Sequence, residues 1–205
     1  MTTAMSKTTT TKTTTTTAKL SARDRLLNAA NELFYEEGVH TVGIDRVIDR
    51  AGVAKASLYN TFGSKDELVK AYLEGRHAAM ATRITGYLER YTDPRDRLLG
   101  VFEAQAELFN EPTFRGCAFV SASAEAHPGD QVEQAADVYR AWVRQLFTDL
   151  AEQAGVPEPA DLARQLHLLY DGGGLSARMD HDPSAATFSR KAAESLLDAA
   201  LAAQA

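Results

Sequence analysis

One stretch restricts the fold of this chain more than any other: Ala51-Gly52-Val53-Ala54-Lys55-Ala56-Ser57-Leu58-Tyr59-Asn60-Thr61-Phe62-Gly63-Ser64-Lys65-Asp66-Glu67-Leu68. Gly52 supplies the backbone freedom of a tight turn, and Val53 plugs that turn with an apolar side chain. Before it, Ile44, Val47, Ile48 and Ala51 recur at helical spacing and predict a helix over residues 44–51. After it, Leu58 and Phe62 stand four apart, as neighbours on one helix face do, so residues 55–61 form a short helix anchored by that pair. Gly63 ends it, and Ser64 with Glu67 three residues on is a capping box that opens a long helix. Two short helices about a tight turn make a helix-turn-helix. Its outer face carries Lys55, Ala56, Ser57, Tyr59, Asn60 and Thr61, a short polar surface that suits a DNA major groove about 12 Å wide.

The rest of the chain repeats the helical pattern. Ser21 is a good N-cap, with Asp24 three residues on, for a helix carrying Leu26, Leu27, Ala30, Leu33 and Phe34 and stopped by Gly38. The long helix from Ser64 carries Leu68, Tyr72, Met80, Ile84, Tyr87 and Tyr91 on one row. Asp93-Pro94 opens another, with proline at its first position, and Asn110-Glu111-Pro112 closes it. Residues 116–126 read as a short helix of small apolar residues, and His127-Pro128-Gly129 as a turn. A longer helix then runs through Val132, Tyr139, Trp142, Phe147 and Leu150. Two more fit residues 160–179 and 184–203, divided at Asp182-Pro183. No segment alternates as a strand would. The expected class is all-α with about nine helices: a tail over residues 1–19, a helix-turn-helix domain over 20–66 and a second helical domain over 67–205.

Composition narrows the function. Residues 1–19 are mostly Thr with Lys7, Lys12 and Lys19, a segment that cannot bury a core and is expected to be either a solvated tail or a basic arm. The net charge of −6 looks wrong for a nucleic-acid binder, but its distribution matters more. Residues 1–70 hold ten Lys/Arg against eight Asp/Glu, so the acidic excess belongs to the remainder. With Cys117 as the only cysteine, an internal disulfide or a Cys-rich zinc site is excluded. Without a long apolar run or an apolar leader, a cytoplasmic location is expected, with no membrane association. The chain carries no P-loop, no GxSxG elbow and no dinucleotide fingerprint, so neither an enzyme nor a cofactor is expected.

The sequence resembles the TetR family of transcriptional regulators over about residues 20–72. The resemblance rests on Gly38, on Val47-Ile48 with Ala51-Gly52-Val53, on Leu58-Tyr59 with Phe62, and on Ser64-Lys65 with Glu67-Leu68. Gly43 stands where the family usually has a Ser or Thr N-cap, and Ile48 where it more often has Ala. The resemblance implies that residues 55–61 are the recognition helix. Lys55, Ala56, Tyr59 and Asn60 are then the groove residues, with Ser57 and Thr61 on the same helix. Lys or Asn can bond base edges, and Ala or a Tyr ring can meet a thymine methyl. Tyr59 and Thr61 are alternatively phosphate contacts, and Lys65, Thr41 and Arg46 are further phosphate candidates. It also implies a homodimer on a pseudo-palindromic double-stranded operator, most simply a repressor released by a small effector; an activator or a helical ligand-binding protein would use the same fold.

For the second domain, the resemblance implies an effector pocket and a dimer seam between the last two helices. The many rings there suit an apolar or aromatic effector, with Phe102, Phe119, Trp142 and Tyr170 as lining. Cys117 reads either as a small buried apolar side chain or as a thiol at a helix start. His167 and Asp171 lie four apart, but with no HExxH and no third ligand at fixed spacing no metal site is expected. Gly172-Gly173-Gly174 is unusual inside a helix, where each Gly costs about 1 kcal/mol against Ala. A close helix–helix seam is the preferred explanation, with Leu168, Gly172, Leu175, Leu196 and Ala200 at the dimer interface; the rival is a local break lining the pocket.

Overall fold

The structure, a computed structural model, describes residues 20–203. The Thr-rich segment 1–19, with the basic-arm reading placed on it, lies outside the described residues. Among the described residues the chain is all-α, in nine helices: α1 Ala22–Glu37, α2 Ile44–Ala51, α3 Lys55–Phe62, α4 Lys65–Leu88, α5 Pro94–Phe109, α6 Ala118–Glu125, α7 Gln131–Gln153, α8 Pro159–Met179 and α9 Ala185–Ala202.

Caps set most of the boundaries. The Ser21 hydroxyl oxygen accepts from Asp24 N and that of Ser64 from Glu67 N, each relieving an orphan amide at a helix start. Asp93 and Asp130 do the same for α5 and α7. At α2 the N-cap is Gly43, which makes no side-chain cap bond. Gly52 sits in the left-handed region, φ 61°, ψ 45°, which a residue with a Cβ adopts only at a cost. Arg25 of α1 braces that turn, its Nη1 donating to Gly52 O at 2.9 Å.

The headpiece core is small and closed. Leu26, Val42, Val47 and Leu58 are each fully buried, so α3 is pinned through Leu58 against α1 and α2. Phe62 is half-buried beneath the Arg23 guanidinium, 5.5 Å from the ring centroid. The long α4 leaves this unit and packs on α5 and α7. In the body, α8 packs against both α7 and α9, and α5 packs against α4, α7 and α9, around Phe102, Phe147, Leu166 and Leu197.

The glycine run divides its work, and α8 runs unbroken through it. Gly172 is exposed. A Cβ on Gly173 would lie 2.5 Å from Ser189 Oγ of α9, so this glycine permits the close approach of α8 and α9 within one chain. That Cβ would also meet Gln105 Oε1, at 3.4 Å, while Gly174 faces Gln105 Nε2 and Phe109 of α5.

Because Leu58 is fully buried while Tyr59 beside it is exposed, the two should respond differently to truncation. Leu58→Ala is expected to destabilise the headpiece by about 2–5 kcal/mol. Tyr59→Ala should stay within about 0.5 kcal/mol of the parent. Urea unfolding followed by circular dichroism measures both.

Candidate nucleic-acid interface and cavity

Anchoring Leu58 inward turns the opposite face of α3 outward. Lys55, Ala56, Tyr59 and Asn60 are all exposed there, one helical turn deep, and Ser57 is half-buried beside them. Thr61 is exposed, but its hydroxyl donates to Ser57 O at 2.6 Å within the helix. Thr41 is exposed ahead of α2, and Lys65 is half-buried in the first turn of α4.

Two of the cations already hold acidic partners that lie on other helices. Lys55 Nζ donates to Asp45 Oδ1 at 2.8 Å, and that bond holds the ammonium pKa above its ordinary value. Arg46 grips Glu37 with two bonds, 2.6 and 2.8 Å. Both pairs are solvent-exposed, so each is worth little against a phosphate competitor. Neither pairing was legible from spacing, because the partners lie on different helices.

A cavity of about 430 Å³ lies where the headpiece meets the body. Asn31, Glu32, Tyr35 and Glu36 of α1 form one wall, with Arg76, Met80 and Arg83 of α4 beside them. The inner end is made by Gln105, Phe109, Phe114, Phe119, Tyr139, Tyr170 and Gly174. Phe119 and Tyr139 stack, 4.0 Å between centroids and 4° between planes. The Tyr139 and Tyr170 hydroxyls meet at 3.1 Å, and burial pushes both phenols well above their ordinary pKa, so both stay protonated.

Of the rings singled out from the sequence, Phe119 and Tyr170 therefore border the cavity. Phe102 and Trp142 stand behind its wall: Phe102 is fully buried against Phe147, and Trp142 packs against His77 and Tyr139. Helical spacing identifies apolar faces but not which of them meet a void. Gln105 and Tyr35 gave no sequence signal at all. Cys117 lines the cavity, and burial raises its thiol pKa rather than activating it.

Tyr35 also ties the two units together. Its hydroxyl donates to Gly116 O and accepts from Arg115 N, both at 2.9 Å. The Arg76 guanidinium lies 3.8 Å from the centroid of the same ring. A further bond crosses this boundary, from His40 N to Glu125 Oε2 at 2.8 Å, and Gln131 Nε2 of α7 donates to Glu67 Oε1 in the first turn of α4 at 2.5 Å.

Comparison with known proteins decides what this arrangement belongs to. Residues 26–72 match the sequence profile described as "Bacterial regulatory proteins, tetR family". The crystal structure of a TetR-family transcriptional regulator from Streptomyces coelicolor superposes with a TM-score of 0.81 at 33% identity, over 87% of this chain and 95% of that one. The chain belongs to the TetR family of transcriptional regulators. Among curated TetR-type relatives, the transcriptional activator FasR of Mycolicibacterium smegmatis is 42% identical over 82 residues, 40% of this chain and 37% of that protein. The transcriptional repressor NemR of Escherichia coli is 28% identical over 167 residues, 77% of this chain and 84% of that one. The chain spans between 37% and 55% of the length of the first curated relatives it matches.

The TetR-type body also carries an exposed apolar stripe. Leu168, Leu175 and Met179 of α8 are 72%, 54% and 68% exposed, with exposed Gly172 between them and Phe188 of α9 at 66%. Leu196 and Ala200 are half-buried and lean on the main core instead. Continuing the α8 spacing by four residues reaches Met179, so that residue was recoverable from the pattern. Among the described residues, no three His, Cys, Asp or Glu side chains gather to hold a metal ion, and no helix is long and apolar enough to cross a membrane.

His167 gives this body a pH response. It is 4% exposed, and burial lowers its pKa; Asp171, 3.5 Å from Nε2, opposes that shift, while Arg140 and Arg144 add to it. Above its unfolded value of about 6.5 the imidazole is neutral in both states. As pH falls below that value the unfolded chain takes up a proton that the folded chain resists, so stability drops until the folded pKa is passed. Half-buried His77 contributes with the same sign. Urea midpoints should therefore decline from about pH 7.5 to about pH 5, and His167→Gln should flatten that decline.

Proposed function

We propose that this TetR-family regulator is a cytoplasmic, homodimeric repressor of a pseudo-palindromic operator, released when a small molecule occupies the cavity. The observation that carries the reading is the placement of α1. That helix packs directly against α2 and α3 and also forms one wall of the cavity. A ligand in the cavity thus touches the unit that presents the DNA-reading face.

On the operator, Lys55 and Asn60 offer donors to base edges, while Ala56 and the Tyr59 ring offer contact to thymine methyls. Ser57 lies beside them, and Thr41, Arg46, Thr61 and Lys65 lie where phosphates flank such a groove. Lys55 and Arg46 must exchange Asp45 and Glu37 for DNA. The exposed Leu168–Gly172–Leu175–Met179 stripe with Phe188 is the natural surface for a two-fold partner, since isolated monomers seldom leave so continuous an apolar face in water. Two α3 helices in the dimer would enter major grooves about 34–36 Å apart or a multiple of that. Ligand binding lowers operator affinity only as far as the ligand prefers the dimer shape that does not fit DNA. The curated relatives include both repressors and an activator. The same geometry would serve an activator whose ligand favours the DNA-fitting shape, and a reporter driven by the bound promoter separates the two.

Gel-shift titration with a duplex from the upstream region of its own gene tests the reading. Lys55→Ala and Tyr59→Ala are each expected to weaken the specific complex by about tenfold or more, the cost of about 1–3 kcal/mol per lost base contact, with unchanged unfolding midpoints. Asp45→Asn should strengthen it several-fold, because it frees Lys55 and removes a negative charge beside the DNA. Log affinity should fall steeply with log salt. Full affinity in both alanine variants, or a salt slope near zero, would remove the assignment of α3 as the reading helix.

A further inference from the structure

The charged groups that line the cavity are not all matched to one another. Its carboxylates each have an arginine. Arg50 grips Glu32 with two bonds, and exposed Glu36 lies in the field of the same guanidinium. Arg83 holds Glu111, and Arg140 holds Asp171 at 2.7 Å. Of the arginines that line it, Arg83 is thus engaged, and Arg115 Nη1 donates to the backbone oxygens of Pro112 and Phe114 at 3.1 and 3.0 Å. Arg76 differs. It is half-buried, and among the described residues it has no hydrogen bond and no ion pair, only the face of the Tyr35 ring. At 3.8 Å that ring covers one face of the guanidinium, whereas the five N–H donors lie in the guanidinium plane. The ring neutralises no charge, so a half-buried cation with unused donors borders the cavity.

The walls beyond Arg76 are apolar. Ala79 and Met80 follow it on α4, Phe109 and Phe114 stand with centroids 4.9 Å apart, and Phe119 stacks on Tyr139. A cationic ligand would meet Arg76 while Glu32, Glu111 and Asp171 are held by other arginines. A neutral ring would take water from the Arg76 donors and return no acceptor. A carboxylate on an aromatic body does neither, because its two oxygens match two adjacent guanidinium N–H groups and its rings suit the far walls.

We propose that the cavity binds an amphipathic aryl carboxylate, whose oxygens accept from Arg76 while its aromatic body lies among Phe109, Phe114 and Phe119. The anion then acts on the contact that Arg76 of α4 makes with Tyr35 of α1. The inference rests on the cavity being the effector site and specifies the chemistry of its ligand.

Calorimetric titration of the full chain with naphthalene-2-carboxylate and with 4-phenylbutanoate, each beside its primary amide, tests it. The amide keeps the shape and loses the charge. The wild type is expected to bind at least one carboxylate at least about tenfold more tightly than its amide, the effect of hydrogen bonds to a charged group. Arg76→Gln should bring that carboxylate to within about twofold of its amide. Arg164→Gln removes the same charge from an exposed site outside the cavity and should leave the preference in place. If Arg76→Gln does not fold, Arg76→Lys keeps the charge and loses the planar fork, and should weaken the carboxylate by at least about threefold more than the amide. Equal affinity within both pairs, a preference that survives Arg76→Gln, equal weakening of carboxylate and amide in Arg76→Lys, a preference lost in Arg164→Gln, or no binding of either carboxylate would each overturn the proposal. Gel shifts with the same compounds separate it from the reading beneath it. Operator release by carboxylate and amide alike removes only the ligand class, whereas carboxylate-selective binding without operator release removes the effector role and leaves the site.

Discussion

The Tyr35 side chain joins the two halves of this protein. Its hydroxyl both donates to Gly116 O and accepts from Arg115 N, so two backbone groups of the α5–α6 connection are satisfied by a residue of the headpiece. Its ring meanwhile forms cavity wall beneath the Arg76 guanidinium. Partly buried backbone groups that depend on one side chain are costly to leave unmet, so the loop and α1 are held to each other. Tyr35 thus fixes α1, which packs against α2 and α3, to the far side of the cavity.

The proposed coupling needs a headpiece that turns as a unit. Its core is small but closed, with Leu26, Val42, Val47 and Leu58 fully buried, and Arg25 clamps the turn at Gly52. The surface of the same unit is held more loosely. The Lys55–Asp45 and Arg46–Glu37 pairs are exposed and exchangeable, which keeps the cations in place without competing strongly with phosphates. In the proposed mechanism, a headpiece closed inside and exchangeable outside would let one small rotation be read as a change in fit to DNA.

The fold was largely legible in the sequence because local chemistry marks it. Ser21, Ser64 and Asp93-Pro94 set three helix starts, Gly52 sets the turn, and the spacing of Leu58 and Phe62 sets the face of α3. Long-range placement was less legible. Phe102 and Phe119 carry the same apolar signal, yet one is sealed in the core and the other borders the cavity, because the difference depends on where neighbouring helices leave a gap. Gln105 and Tyr35 matter through partners 65 and 81 residues away, which no local pattern encodes. The glycine run signalled close packing, but only the tertiary contacts separate Gly173, pressed on Ser189, from Gly174 at the cavity.

The central claim is that the DNA-reading face and the cavity wall communicate through Tyr35. Because such coupling is reciprocal, it can be followed from the DNA side without any effector. The direct measurement is amide hydrogen exchange at residues 115–117, with and without a bound operator duplex, in the wild type and in Tyr35→Phe. The account predicts that DNA binding changes exchange at these amides in the wild type and leaves it unaltered in Tyr35→Phe. Exchange indifferent to DNA in the wild type, or changed equally in both proteins, would contradict it.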